Sequence, residues 1–389
     1  MENFIYNTPT KIVFGKNAID DLATYVSQYG KKVLLTYGGG SIKKIGLYDK
    51  VKELLQDFKI FELGGIEPNP KYSTSVLDGV KSCKDNKIDV ILAVGGGSVL
   101  DCSKAIAVGA KYDGETWDLI IGKALAKDAL PIIDIMTIAA TGSEYDSGCV
   151  ISRVETKDKI GYLDEHMYPK VSIIDPTYTF SVSKRQTAAG SADAINHSLE
   201  QFFVRPNVLL NDRMIEGTIE SIIKNTNICL SNPDDYNARA ELFYDCTLAC
   251  NGLYTNGSGY AGWPMHAIEH MLSAFYDITH GVGLAILTPR WMKHILNENT
   301  ISRFVELGTC VFNIDSSLDK MEIANKTIDK FYELFESWGI PMHLKDVEID
   351  ESRVREMAHK IALEDGLDAS YNYVPLKEED IFEIIMNCL

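Results

Sequence analysis

Apolar positions come in two textures along the chain. Through the first half they form short, often β-branched blocks, each closed by a glycine turn and followed by a segment with apolar residues at helical spacing. "KVLLTYGGGS" (32–41) reads as a strand entering a glycine turn, and "IGLYDKVKELLQDF" (45–58) as a helix. "KIFELGG" is again a strand and "KYSTSVLDGVKSCKDN" a helix, and "VILAVGGGSVLDCSKAIAVGA" (90–110) is strand, turn and helix in one run. "LPIIDIMTIAATGSE" (130–144) and "KVSIIDP" (170–176) supply further strands. Strands alternating with helices at this rhythm predict a parallel sheet covered by helices.

After Pro176 helical spacing takes over to the C-terminus, with breaks at Asn232-Pro233, Gly257-Ser258-Gly259 and Gly339-Ile340-Pro341. The boundary is placed near residue 180. The expected fold is an α/β domain with a parallel sheet over 1–180, followed by an all-helical domain over 181–389. A chain of 389 residues is long enough for two cores. Its formal charge of -17 argues against nucleic acid and anionic membrane surfaces, which need basic patches. No apolar run approaches the roughly 18 residues of a membrane span, and Met1 to Thr10 does not read as a secretory signal. The eight cysteines include no Cys-x-x-Cys pair, so free thiols in a reducing cytoplasm are expected.

"GGGS" occurs at 38–41 and again at 95–98, each time after a strand. Glycine lets backbone amides approach an anion, and a following helix N-terminus adds partial positive charge. Gly96, Gly97 and Ser98 are therefore candidates to cradle a phosphate. Ser98 is also placed to cap the helix, with Asp101 as its capping-box partner. Neither copy matches the Gly-x-Gly-x-x-Gly or P-loop fingerprint. Dinucleotide sites that take NAD usually grip the ribose 2′-hydroxyl with an acid after a strand. Gly38, Gly39, Gly40 and Ser41 offer none, which leaves room for a 2′-phosphate and favours NADP.

"GWPMHAIEHMLSAFYDITHG" (262–281) holds His266, His270 and His280 among apolar residues. His266 and His270 lie four apart on one helix face, as do Asp193 and His197 in "GSADAINHSLEQF". These five groups could serve Fe(II) or Zn(II), which accept mixed nitrogen and oxygen donors. Which of them bind metal and which do chemistry stays open at this level. "HAIEH" also fits the inverted zinc-peptidase pattern with Glu269 as base, but that reading leaves the glycine loops and the α/β half unexplained. His166, His294, His343 and His359 fall in no such grouping.

On "GGGS", "ATGSE" (140–144), "GSADAINHSLEQF" and "MHAIEHMLSAFYDITHG" the chain resembles the iron-containing alcohol dehydrogenases, and among them the NADPH-dependent butanol dehydrogenase type. The resemblance implies Asp193, His197, His266 and His280 as metal ligands and His270 as a proton-transfer residue. It further implies Asn69, Gly97, Ser98, Asp101, Thr137 and Lys159 on the dinucleotide, a site in the cleft between two domains, and a homodimer. The reaction it implies is hydride transfer between NADP(H) and a short-chain alcohol or aldehyde at one divalent ion, Fe2+ or Zn2+. Trp263, Phe275 and Tyr276 are candidate walls for that substrate. Three neutral imidazoles and one carboxylate around a divalent ion would leave a net positive site, suited to a developing alkoxide. A dehydroquinate-synthase-like enzyme would share fold and metal, but it would want a basic cluster near the histidines, and the sequence shows none.

Overall fold

The unbroken apolar runs are the middle strands of a sheet buried on both sides. The computed structural model describes residues 1–389. Its strands are β1 (Lys11–Phe14), β2 (Lys32–Tyr37), β3 (Lys59–Leu63), β4 (Val90–Gly95), β5 (Ile132–Met136), β6 (Gly148–Arg153), β7 (Asp158–Leu163) and β8 (Val171–Ile174). Six of them form one sheet in the order β1-β8-β5-β4-β2-β3, with every pairing parallel. Side chains alternate between its faces. Val33, Leu35, Leu92 and Ile135 join one apolar cluster, while Leu34, Ile91, Ala93 and Met136 join the other. Helices cover both clusters, which is why these strands read as continuous rather than alternating.

The strand order places the glycine loops. From β2 the chain runs outward to β3, then crosses back so that β4 pairs with β2 on its other side. Ligands in open parallel sheets bind beyond the carboxyl ends of strands at such a reversal. Tyr37 is the register partner of Val94, so "GGGS" at 38–41 and at 95–98 leave the sheet side by side.

Two elements fall outside the sequence expectation. The short edge strand β1 pairs with β8, and β6 and β7 form a separate antiparallel hairpin. The expected all-helical second half is observed, since no strand follows β8.

The division into domains differs from 1–180 and 181–389. One compact unit comprises Asn7–Val182 with Pro233–Asn251; the other comprises Met1–Tyr6, Ser183–Asn232 and Gly252–Leu389. The helix Tyr236–Ala249 goes with the sheet because its Thr247 hydroxyl donates to buried Glu144 Oε1 at 2.5 Å and the Lys16 ammonium lies 4.4 Å from the Tyr236 ring centroid. The first residues go with the helices because the Glu2 amide donates to the Gly257 carbonyl at 2.8 Å. The eight cysteines are free thiols, and no helix is long and apolar enough to cross a membrane.

Candidate active site

The helix Lys184–Phe202, which carries Asp193 and His197, is buried on every side from Thr187 to Phe202. Its polar residues tolerate this by bonding back one turn. Ser191, Asn196, Ser198 and Gln201 donate to the carbonyls of Thr187, Ala192, Ala194 and His197 at 2.8–3.0 Å. The helix Pro264–Tyr276 carries His266 and His270, and a break over 277–279 precedes the helix His280–Ile295. Gly281 lets that last helix touch the first, since a Cβ there would stand 1.9 Å from the Ala189 carbonyl oxygen.

The result is a convergence on one atom. Nε2 of His197, His266 and His280 stand 3.5, 3.7 and 3.6 Å from Asp193 Oδ1. These separations are too long for hydrogen bonds, and Asp193 Oδ1 and His266 Nε2 are buried without a hydrogen-bond partner. Donors about 2.1 Å from a shared ion at tetrahedral angles stand roughly 3.4 Å apart. Asp193, His266 and His280 bring their ligand atoms within 4.8 Å of one another, and His197 approaches the same Asp193 oxygen from its own helix, a donor set that fits a divalent transition-metal ion.

Electrostatics favour the same occupant. Burial would raise the Asp193 pKa, but the surrounding imidazoles hold it well below the usual carboxylate range. Burial, with help from the neighbouring imidazoles, pulls His197 down to about 3, leaving a neutral ring with a lone pair to give. At His266 burial is outweighed by Glu200 and Asp193, which draw its pKa up to about 10. The cluster is a seat for positive charge.

Two carboxylates complete it: Glu200, which sequence reasoning missed, and Glu269, which it considered only as a peptidase base. Glu200 accepts from Nδ1 of His266 and from the Met265 amide at 2.6 Å, so it orients the ring and caps the helix that carries it. Glu269 accepts from Nδ1 of His280 and from the Ser273 hydroxyl. With Nδ1–H donating to a carboxylate, each ring turns Nε2 toward Asp193, and at His266 a bound cation would take the place of the Nε2 proton. Gly283 makes room, because a Cβ there would meet Glu269 Cγ at 2.8 Å. Glu269 is thus committed to His280, which removes the inverted-peptidase reading. The charge expectation changes as well. The four donors around a divalent ion sum to +1, but including the Glu200 and Glu269 carboxylates brings the formal sum to -1.

His270 lies beside this cluster rather than in it. Its ring centroid is 6.2 Å from that of His266 and 5.5 Å from that of His280, and it groups with Glu269 and His280 instead of Asp193. It is half-buried, on the side where the cluster is most open. The His280 side chain is 23% exposed, against 4% for Asp193 and 7% for His197. Trp263 borders the same cluster edge-on, 6.0 Å from His197 and 5.3 Å from His266. Its backbone sits in the left-handed region at φ 53°, a strained conformation for so bulky a residue. Phe275 is instead covered by the Arg353 guanidinium at 4.2 Å, and Tyr276 closes the His266 helix beside it.

In the other unit, Gly40 takes φ 108° to turn the chain from β2 into the helix Ser41–Lys44. No carboxylate stands among Gly38, Gly39, Gly40 and Ser41. The helix Gly97–Ala110 starts two residues earlier than a Ser98 cap would give, and its N-cap, Gly96, makes no side-chain bond. The capping box of Ser98 and Asp101 is not formed. Ser98 is already the second helical residue, and Asp101 accepts from Ser143 Oγ at 2.7 Å and the Val150 amide at 2.9 Å. The leading helical amides at Gly97 and Ser98 have no acceptor within the helix. The Thr137 amide donates to the Gly95 carbonyl at 2.9 Å, which holds Thr137 against the end of β4. Asn69 adopts φ 48°, and its neighbour Pro70 accepts from the Ser152 amide at 2.9 Å. Ser152 is the register partner of Lys159, so the Asn69 loop and Lys159 are tied through one hairpin.

Comparison with known proteins covers both units. The family described as iron-containing alcohol dehydrogenase matches residues 9–176, and its C-terminal counterpart matches 187–389. NADH-dependent butanol dehydrogenase A of Clostridium acetobutylicum is 45% identical over 99% of both chains. The NADPH-dependent aldehyde reductase YqhD of Escherichia coli is 36% identical over 93% of both chains. The crystal structure of NADH-dependent butanol dehydrogenase A from Thermotoga maritima superposes with a TM-score of 0.95 at 40% identity, covering 100% of this chain and 99% of that one.

Proposed function

The chain belongs to the iron-containing alcohol dehydrogenase family, and from that premise we propose that it reduces short-chain aldehydes such as butanal with NADPH, at one Fe2+ or Zn2+ held by Asp193, His197, His266 and His280. Metal-dependent alcohol dehydrogenase or aldehyde reductase activity, with a dinucleotide cofactor, is the function of this family and of this chain. The observation that carries the metal assignment is the approach of three imidazole nitrogens to a single oxygen of Asp193.

When bound, the cation supplies Lewis acidity toward the carbonyl oxygen, and the nicotinamide supplies the hydride. The chain's own residues do the rest. Glu200 and Glu269 hold two imidazoles in the tautomer that offers Nε2. The Trp263 ring shields the His197 and His266 rings and keeps water from that side. His270, on the open side, delivers the proton that turns aldehyde, hydride and proton into alcohol. Gly96, Gly97 and Ser98 present amides to the pyrophosphate, and Asp101 braces the turn behind them. Asn69, Thr137 and Lys159 take the remaining polar groups of the dinucleotide.

NADPH is preferred in this reading because the end of β2 offers only Gly38, Gly39, Gly40 and Ser41, with Lys43 and Lys44 just beyond. A carboxylate there would repel a 2′-phosphate; these groups do not. NADH is the second reading, favoured by the name of the Clostridium relative. Rates of butanal reduction by metal-loaded enzyme, followed by nicotinamide absorbance, separate the two. The expected kcat/KM is at least about ten-fold higher with NADPH, the worth of roughly one favourable charged contact. Equal or better use of NADH would remove the 2′-phosphate reading, and no turnover across short aldehydes and alcohols would remove the whole proposal. The free thiols suit a reducing cytoplasm, where we place a homodimer of the 43.3 kDa chain; monomeric sedimentation would refute the dimer.

A further inference from the structure

The turn after β5 is fastened to one stripe of the helix Gly97–Ala110. Gly97, Asp101 and Lys104 recur at i, i+4 and i+7, so they project from one side of it. A Cβ on Gly97 would come within 2.6 Å of Thr141 Oγ1, so the turn lies directly on the first helical residue. One helical turn on, Asp101 holds Ser143 and Val150. At the third position Lys104, 0% exposed, reaches five oxygens. They are Ser143 O at 2.7 Å, Ser143 Oγ at 3.0 Å, Asp146 O at 3.1 Å, Asp146 Oδ1 at 2.7 Å and Gly148 O at 2.7 Å.

A fully buried lysine is uncommon. Burial alone would lower its pKa, but Asp146 and Asp101 outweigh that and raise it, so the ammonium stays charged. Five acceptors for three N–H groups leave the turn no slack on this side. On its other side, Glu144 takes the Thr247 hydroxyl on its carboxylate at 2.5 Å and the Ser172 hydroxyl on its carbonyl at 2.7 Å.

We propose that Lys104 is a positioning residue of the dinucleotide site: by gathering Ser143, Asp146 and Gly148 onto one ammonium, it holds Thr141 over Gly97 and sets the opening through which the Gly97 and Ser98 amides meet the pyrophosphate. Lys104 itself cannot touch the ligand, being enclosed seven residues into the helix. The inference rests on the dinucleotide reading of those glycines and adds the residue that shapes them. It places the ammonium's effect on cofactor affinity, with the aldehyde and the metal untouched, because every group it binds lies in the sheet-bearing unit.

The test is Lys104→Met in the metal-loaded enzyme. NADPH affinity is read by fluorescence titration and KM, alongside butanal KM, kcat at saturating NADPH, and bound metal. The expected result is a rise of at least about ten-fold in both NADPH constants, as for a sub-ångström misplacement of a ligand cradle, with the other three within two-fold of wild type. A purely structural lysine would lower the melting temperature and the active fraction without separating the two KM values. If Lys104→Met does not fold, Ser143→Ala removes one of the five acceptors together with the hydroxyl that donates to Asp101, and the expected rise is about three-fold. Unchanged NADPH affinity in folded Lys104→Met, or in Ser143→Ala where the first variant does not fold, overturns the proposal. Wild-type enzyme that binds neither NADPH nor NADH overturns instead the reading beneath it.

Discussion

His266→Ala is expected to purify without stoichiometric metal and to reduce butanal at least about a thousand-fold more slowly, because Lewis-acid stabilisation contributes several kcal/mol and each 1.4 kcal/mol is ten-fold in rate. His266 is the sharpest place to test the metal centre because it is held from both ends. Nδ1 is fixed by Glu200 and Nε2 faces Asp193 at 3.7 Å. Removing the ring deletes one donor, leaves Glu200 without the imidazole N–H it accepts, and removes the surface against which His197 stacks at 4.7 Å. Elemental analysis and the rate should fall together. A variant that keeps one ion per chain and a near-native rate would show that the four donors are not the metal site. A melting curve identifies general unfolding, which would lower Tm, whereas loss of the site alone leaves the separate sheet-bearing unit intact.

His270→Ala should part the two readouts. The metal should stay, since His270 groups with Glu269 and His280 rather than with Asp193, while kcat falls about 10²- to 10³-fold, the usual worth of a positioned proton-transfer group. Its place one turn beyond His266 makes this the informative comparison. Both side chains leave the same helix face, yet only His266 points its Nε2 at Asp193. Metal loss equal to that of His266→Ala would move His270 into the coordination set and leave the proton step without its donor.

Much of the architecture is legible from the chain, for reasons that differ by element. β2, β4, β5 and β8 are readable because a strand covered on both faces is predominantly apolar, as in "VILAV", with single buried polar residues such as Asp134 and Ser172 as exceptions. β1 is not, because "KIVF" is four residues on a sheet edge with its ends exposed. The β6–β7 hairpin is hidden by the short connection "VETK" and by Gly148 and Gly161 within the strands. The helix Tyr236–Ala249 looks like its helical neighbours in sequence. Tertiary contacts assign it to the sheet, among them the bond from Thr247 to Glu144, which spans 103 positions.

The site shows the same limit. Spacing of four on a helix brings Asp193 with His197 and His266 with His270, and the crowding of histidines marks the region. Spacing cannot say which face of an imidazole looks inward. That is decided by Glu200 and Glu269, whose partners are fixed by tertiary contact, 66 positions away in the case of Glu200 and His266. In the sequence Glu200 is marked only by standing three residues after His197, about one helical turn on. Ser98 misled for a local reason. Gly96 and Gly97 let the helix begin before it, so its hydroxyl falls past the capping position.

The central claim is that a single divalent ion, gripped by Asp193, His197, His266 and His280, activates the carbonyl for hydride from the nicotinamide. Its most direct test is to strip the enzyme with a chelator, return Fe2+ or Zn2+ in known amounts, and measure bound metal and NADPH-dependent butanal reduction on the same samples. The rate should begin near zero and climb in proportion to bound ion, levelling at one ion per chain. Full activity in protein that elemental analysis finds free of metal would contradict the account.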